Sequence, residues 1–459
     1  MKKKRNNQWR AVVAGLVATA GLGSMVQGQS SDALLDKLVD KGILTVKEAN
    51  GLREESDKGF NQAYQVKSGM PDWVTSLKIN GDFRGRYENI GPNSGRELTT
   101  GSGTFDKYMA DRNRFRYRMR LGITALMQDN FEVGMRLTSS EPAKGGTGGD
   151  PISGNTTFSG NGIKKNIYLD LAYGKWTPIN DGDWTTAFTV GKMENPFTTS
   201  DMVFDGDYTP EGFAQQFGYN INSKHALKLN LGQFAILEAS AKARDPFLFG
   251  SQLRWDATWT PKWQSSMGVA GYLLTDSDRL LTSAVPDQNA GNERDASGKL
   301  ANAYNPVVVD ASVTYNLSSF PLYTGAFPVK LGTEYMNNPA ANNANEGYWV
   351  GVFLGKSGKK GTWDMSYRWK ELQGNAWYEE FVDSDYGAYY TRVSPTLPRA
   401  SAGGYAAGTN MRGHILKASY SPYDSLTLAV TYFLTEVIDQ PTVKSESTGR
   451  LQIDATLKF

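Results

Sequence analysis

Leu451-Gln452-Ile453-Asp454-Ala455-Thr456-Leu457-Lys458-Phe459 ends the chain with apolar and polar residues in alternation and an aromatic residue last. That spacing puts Leu451, Ile453, Ala455, Leu457 and Phe459 on one face of a β-strand and the polar residues on the other. Leu77-Lys78-Ile79-Asn80-Gly81-Asp82-Phe83-Arg84-Gly85-Arg86-Tyr87-Glu88 repeats the pattern near the start of the 73–459 region. Both ends of that region therefore carry strands with one apolar face, as the first and last strands of a closed sheet must.

Between these ends the same reading gives sixteen strand-like segments, from 73–88 to 449–459, an even number as a single-chain bacterial barrel requires. Ile167, Leu169, Leu171 and Tyr173 form one predicted outward set, and Leu253, Trp255, Ala257 and Trp259 another. Val307 through Leu317 and Leu426 through Leu434 supply two more by alternate residues. Connections alternate in length. Met127–Asn130, Asn222–Lys224, Pro261–Lys262, Lys356–Lys360 and Ser421–Tyr423 are short, whereas 89–111, 142–162, 194–209, 275–304 and 373–410 are long. Short turns on one rim and long loops on the other are the pattern of an outer-membrane barrel. The predicted fold is all-β, a transmembrane antiparallel β-barrel of about sixteen strands with a short helical segment before it. Tyr87, Tyr117, Tyr173, Tyr335, Tyr420 and Phe459 fall near strand ends, where aromatic girdles meet the two interfaces. A secreted β protein with a dry core would alternate too, but would leave many long amphipathic edges unpaired.

The remainder of the chain divides in two. Lys2, Lys3, Lys4, Arg5 and Arg10 precede an apolar run from Ala11 to Gly23, which reads as a signal peptide over 1–28. Its removal takes five positive charges from a chain of net charge +2, leaving −3, a balance that gives no support for nucleic-acid binding. Over 29–72, Leu34, Leu35, Leu38 and Val39 at helical spacing, Gly42, and a Thr45/Glu48 capping box predict a periplasmic helical hairpin and linker. The chain has no cysteine, which excludes disulfides, thiol nucleophiles and thiolate metal sites. Mean hydropathy is −0.47 and no apolar run beyond the leader is long enough for a spanning helix. Barrel strands show lipid only every second residue, so a polar average is compatible with a membrane.

Asp111-Arg112-Asn113-Arg114-Phe115-Arg116-Tyr117-Arg118-Met119-Arg120 sets five arginines at spacing two. They share one face of a strand. An arginine at the bilayer midplane of a barrel costs about 2 to 4 kcal/mol, so this face must look into a wet lumen, together with Arg84 and Arg86. The Gly191–Gly212 stretch carries Glu194, Asp201, Asp205, Asp207 and Glu211 against one basic residue. Folded inward, it would set acids against the arginine row at a constriction. Left outside, it would be an ordinary loop with Asp201, Asp205 and Asp207 available to Ca²⁺.

The leader, Asp32–Glu55 (DALLDKLVDKGILTVKEANGLREE), the LKINGDFRGRYE and DRNRFRYRMRLGI strands and the GKMENPFTTSDMVFDGDYTPEG loop together resemble the bacterial putative-porin family. The resemblance implies an outer-membrane channel for passive diffusion of small hydrophilic solutes and ions, without naming a solute. Expected partners are outer-membrane lipid, lipopolysaccharide and the solutes, with a homotrimer and peptidoglycan contact left open. A substrate-specific channel for a sugar or oxyanion is the first alternative, and a barrel enzyme or adhesin the second. Enzyme signals are poor: His225 and His414 lie far apart with no triad or metal context. Gly351–Ser357 is one residue short of a P-loop and lies on a strand. No cofactor or metal is expected.

Overall fold

The computed structural model describes residues 69–92, 98–100, 103–105, 111–144, 148–238, 244–390, 404–439 and 447–459. The expected leader and the 32–56 hairpin lie outside them. Sixteen long strands form one sheet. The first eight are β1 (Val74–Pro92), β2 (Arg112–Met127), β3 (Phe131–Ser139), β4 (Ile167–Asn180), β5 (Trp184–Lys192), β6 (Glu211–Asn222), β7 (His225–Ala235) and β8 (Phe247–Thr258). The others are β9 (Trp263–Leu274), β10 (Val307–Leu317), β11 (Phe327–Asn337), β12 (Glu346–Gly355), β13 (Thr362–Leu372), β14 (Met411–Tyr423), β15 (Leu426–Val437) and β16 (Thr448–Lys458). Each overlaps one of the segments read from the sequence.

Neighbours in sequence pair around the sheet, and β1 pairs with both β2 and β16, so the sheet closes. The two strands that decided the fold are the ones that meet. Phe83 faces Leu457 and Tyr87 faces Ile453 on the outer surface, while Arg84, Arg86 and Glu88 face Thr456, Asp454 and Gln452 on the inner. A slip of one residue would exchange the two sets, so the apolar outside fixes the register. Closure leaves no edge among these strands.

The connections 128–130, 181–183, 223–224, 259–262, 318–326, 356–361 and 424–425 lie on one rim, and the longer loops on the other. At the first of these turns Asp129 and Asn130 adopt φ of 58° and 60°, a left-handed conformation that their short polar side chains tolerate. Aromatic rings collect at the same rim. Phe131 stacks on Trp176 at 5.7 Å, Trp184 on Tyr219 at 4.3 Å, and Trp263 lies 4.7 Å from Tyr315. Ser421–Tyr423, expected as a turn, continues β14 through an irregularity, and the turn itself is 424–425.

One outward set is corrected. The pairing of β3 with β4 shifts between Arg136 and Leu137, and a bulge at Asp170 reverses the parity beyond it. Ile167 and Leu169 stay exposed, but Leu171 is buried and Tyr173 packs against apolar residues inside the barrel.

Sixteen strands enclose a bore too wide for wall side chains to fill. Its long-loop half is occupied by loop residues. Phe197, Met202, Val203 and Phe204 from 193–210, Leu280 and Tyr304 from 275–306, and Trp377, Tyr378 and Phe381 from 373–410 form a buried cluster. They pack on inward residues of β7 to β13, among them Phe234, Leu248, Tyr272, Met336 and Leu372. Burial of this apolar surface is what holds the loops inside.

Candidate permeation path

On β2 the apolar and the charged residues take opposite faces of the sheet. Phe115 and Met119 are 57% and 39% exposed on the outside, whereas Arg116 and Arg118 are 7% and 8% exposed on the inside. Arg112 is exposed at the long-loop end of the strand.

The arginines meet carboxylates from strands and loops far away in sequence. Arg86 donates to both oxygens of Asp454 on β16 at 2.7 and 2.8 Å and to Asp385 at 2.9 Å. Arg114 pairs with Glu88 on β1. Glu88 is fully buried and also accepts from Arg450 Nε at 2.9 Å and Gln452 at 3.1 Å. Arg450 reaches Asp385 at 2.7 Å and the Tyr405 hydroxyl at 2.7 Å. Arg118 bridges Asp207 at 2.8 Å and Asp82 at 3.0 Å, and Arg120 donates to Asp82 at 2.6 Å. Arg84 donates instead to the Asn155 side-chain oxygen at 2.7 Å, and Arg116 to the Asn155 carbonyl at 3.3 Å.

The 193–210 loop crosses the lumen. Its Thr198 exchanges hydrogen bonds with Gln252 on β8, at 2.9 and 2.7 Å, and accepts from Arg254 at 3.2 Å. Ser200 donates to Glu334 on β11 from its amide at 3.2 Å and its hydroxyl at 2.5 Å. Asp201 accepts from Arg368 on β13 at 2.5 Å and Lys370 at 3.4 Å. Asp207 then reaches β2 through Arg118. Strands β2 and β8 lie six apart on a closed circle of sixteen, so one short segment spans nearly the full bore.

The five predicted loop acids thus take different roles. Only Asp207 meets the arginine row. Asp201 faces the opposite wall, so Asp201, Asp205 and Asp207 do not converge on one centre, and no cluster suited to a metal occurs among the described residues. Glu194 pairs with Arg136, and Glu211, the first residue of β6, with Lys192 at 3.1 Å. Asp205 accepts the Asp207 amide of its own loop at 2.7 Å and the Ser384 amide at 3.0 Å, the second of which ties it to the 373–390 segment.

Burial sets the protonation of these loop groups first, and charge then divides them. Burial, then the Asp383 and Asp207 carboxylates, push the Asp205 carboxyl well above its usual range. Burial lifts Asp383 to about 6 despite Lys370. For Asp201 burial acts upward too, but Arg368 and Lys370 outweigh it and hold that carboxyl below its ordinary value. The same contest resolves downward at Asp207, through Arg118.

Two polar cavities flank the Arg118–Asp207 contact. One of about 330 Å³ is lined by Arg118, Arg120, Asp150, Asp170, Lys192, Asp207 and Glu211 among others. A second of about 190 Å³ is lined by Arg84, Arg118, Ile152, Ser153, Asn155, Asp205, Gly206, Asp207, Asp383, Ser384 and Asp385. The residues missing from the sequence reading are the partners: Asp82, Glu88, Arg136, Asp170, Arg368, Lys370, Asp385, Arg450 and Asp454. Arg450, Gln452 and Asp454 were within reach, because they occupy the polar parity of the closing strand. The two histidines lie on the outer surface. His225 stacks on Trp255 at 5.7 Å and His414 shares a 2.9 Å hydrogen bond with the Tyr367 hydroxyl.

Comparison with known proteins agrees with this architecture. The structure of Pseudomonas putida OprB at high pH superimposes with a TM-score of 0.50 and 10% identity, covering 88% of this chain and 97% of that one. Salmonella typhi OmpF in complex with daunomycin gives 0.44 and 11%, covering 83% and 97%. Vibrio cholerae OmpT with loop L8 deleted gives 0.43 and 9%, covering 84% and 99%. No curated protein sequence matches the chain. The sequence model of the family described as putative porin matches residues 56–296, more than half of the chain. The protein therefore belongs to the putative porin family and is a β-barrel porin of the outer membrane, a channel for passive diffusion of small hydrophilic solutes.

Proposed function

We propose that solutes cross this barrel along a polar lane between the β1 to β6 wall and the 193–210 loop. The observation that carries the reading is the pair of cavities meeting at Arg118 and Asp207, lined by charged side chains of β1 to β6, whereas the apolar loop cluster packs mainly on β7 to β13. Arg84, Arg118 and Arg120 line its two cavities, Arg86, Arg114 and Arg116 continue the same inward rows toward the long loops, and Arg112 stands at the long-loop mouth. Asp201, Asp205 and Asp207 belong to the loop that narrows it, and Glu194 and Glu211 flank it by way of Arg136 and Lys192. Because most of these arginines are matched by a nearby carboxylate, the field alternates in sign over a few ångströms. A lane of this kind favours hydrated polar solutes over apolar ones and discriminates weakly by net charge.

Replacing Arg118 by Ala removes the group between the two cavities. In planar bilayers the variant is expected to pass a larger single-channel current and to lose part of its anion permeability relative to cations. Unchanged conductance together with an unchanged reversal potential under a salt gradient would remove Arg118 from the path. In the same reading no catalytic step is assigned. Residues 1–28 are a cleaved leader, so sequencing of the mature protein is expected to begin near Gln29. Residues 29–72 stand in the periplasm, where peptidoglycan is within reach. Assembly as a homotrimer fits the outward groove of about 760 Å³ over the closure seam, lined by Gly85, Phe115, Ala418, Val430 and Ala455 among others, and native mass measurement in detergent tests it.

A further inference from the structure

Among the arginines of the lumen wall that are not exposed, two lack a paired carboxylate. Arg86, Arg114, Arg118, Arg120 and Arg450 each pair with a carboxylate. Arg84 and Arg116, on adjacent strands, form no ion pair among the described residues. Both turn to Asn155, which offers neutral oxygens at the place where a carboxylate would balance them. Asn155 is itself 3% exposed and is held by Ser153, which accepts from its amide nitrogen at 3.0 Å. The loop that carries it is pressed on the wall, since a Cβ at Gly154 would come within 2.8 Å of Arg118 Cδ.

A buried guanidinium without a counter-charge is expensive, and proteins ordinarily pair such groups. Arg116 keeps only 7% of its exposure, and the Nε donors of both Arg84 and Arg116 are buried with no acceptor. Arg84 opens on the 190 Å³ cavity beside Ser153, Asn155 and Ser384. Four carboxylates line the same cavity, but they are committed elsewhere. Asp207 is held by Arg118 and Asp385 by Arg86 and Arg450. Asp205 takes two backbone amides, and Asp383 takes the Asp385 amide at 2.8 Å with Lys370 at 3.9 Å.

We infer that the cavity at Arg84, Ser153, Asn155 and Ser384 binds a small anion in the lumen, with Arg116, which does not line the cavity, adding its charge through Asn155. The cavity size and the forked Arg84 donors suit a compact oxyanion such as phosphate or a short carboxylate. Solutes of that class pause there on their way along the lane, so the channel saturates for them while simple salts flow. The inference rests on the proposed lane only for the consequence on current. Binding itself does not depend on it.

Two measurements separate the claims. The first is the effect of inorganic phosphate on chloride current through the purified protein in planar bilayers. The wild-type current is expected to fall saturably with phosphate. The double variant Arg84→Gln/Arg116→Gln should need about tenfold more phosphate for the same block, the loss of charge-assisted hydrogen bonds of ordinary strength. Asn155→Asp should do the same with both arginines in place, because it supplies the missing counter-charge, and it guards against a variant that merely misfolds. The second is thermal unfolding in detergent with and without phosphate, where a ligand of the native state raises the midpoint. Stabilisation of the wild type, absent from both variants, supports the site even if no current flows, in which case only the proposed lane fails. A wild type neither blocked nor stabilised by phosphate, or variants that respond as it does, overturns the site.

Discussion

Glu88 and Arg450 show what a wide bore does to a charged side chain. Both are buried, yet each has several partners: Glu88 takes Arg114, Arg450 and Gln452, and Arg450 reaches Asp385 and Tyr405 as well. Removing one member leaves the others buried and unpaired, a change that costs about 3 to 5 kcal/mol. Glu88→Ala is expected to lose that much stability, read as a lowered temperature of heat modification on gels. Replacement without a shift would mean that water satisfies the arginines. Protonation gives a second test. Asp383 is raised from 3.8 to about 6 by burial, and Asp205 is raised as well by burial and its acidic neighbours. A raised carboxyl binds its proton more tightly in the folded state, so its contribution is complete below pH 3.8 and is lost as pH rises through the folded value. The junction of the 193–210 and 373–390 segments should therefore loosen between about pH 4 and 6 at Asp383, and at higher pH for Asp205. Amide exchange at Asp205 and Asp383, whose N–H groups bond across that junction to Phe381 and Asp201, is the measurement. In Asp383→Asn the part of the loosening that falls between about pH 4 and 6 should vanish.

At the scale of an element, the 193–210 loop is fixed by hydrogen bonds to separate strands and by the apolar side chains between them. Glu334 accepts both the amide and the hydroxyl of Ser200, so Glu334→Ala frees the middle of the loop at once. Single-channel recordings of that variant are expected to show more open-state noise and a larger mean conductance. A trace as quiet as the wild type would show that Met202, Val203 and Phe204 suffice as an anchor. The β2 strand makes the complementary point about its outer face. Met119→Arg places a charge among lipid-facing residues at a cost of about 2 to 4 kcal/mol near the midplane. Refolding into vesicles, followed by the fast-migrating band on unboiled gels, should fall sharply. Equal yields would contradict the assigned parity.

At the scale of the whole molecule, a closed cylinder forces an outer surface for lipid and an inner one for water, and the loops narrow what closure leaves too wide. Much of this was legible in the sequence. Alternation, aromatic rims and the acid-rich stretch at 194–211 are local patterns, and local patterns survive without coordinates. The bulge at Asp170 was not legible, because one extra residue in one strand leaves the alternation on either side looking regular, and Leu171 and Tyr173 changed faces with it. The pairing of charges was not legible either. Arg86 and Asp454 are 368 residues apart, and Arg368 and Asp201 are 167 apart.

By itself the sequence determined that strands of period two would close into a barrel with arginine facing inward, because hydrocarbon outside admits no other parity. Only the tertiary structure decided which arginines would be neutralised and which, Arg84 and Arg116 among them, would not. That choice depends on the register at the seam and on loops packed across the bore, and neither is written in the spacing of residues along one strand.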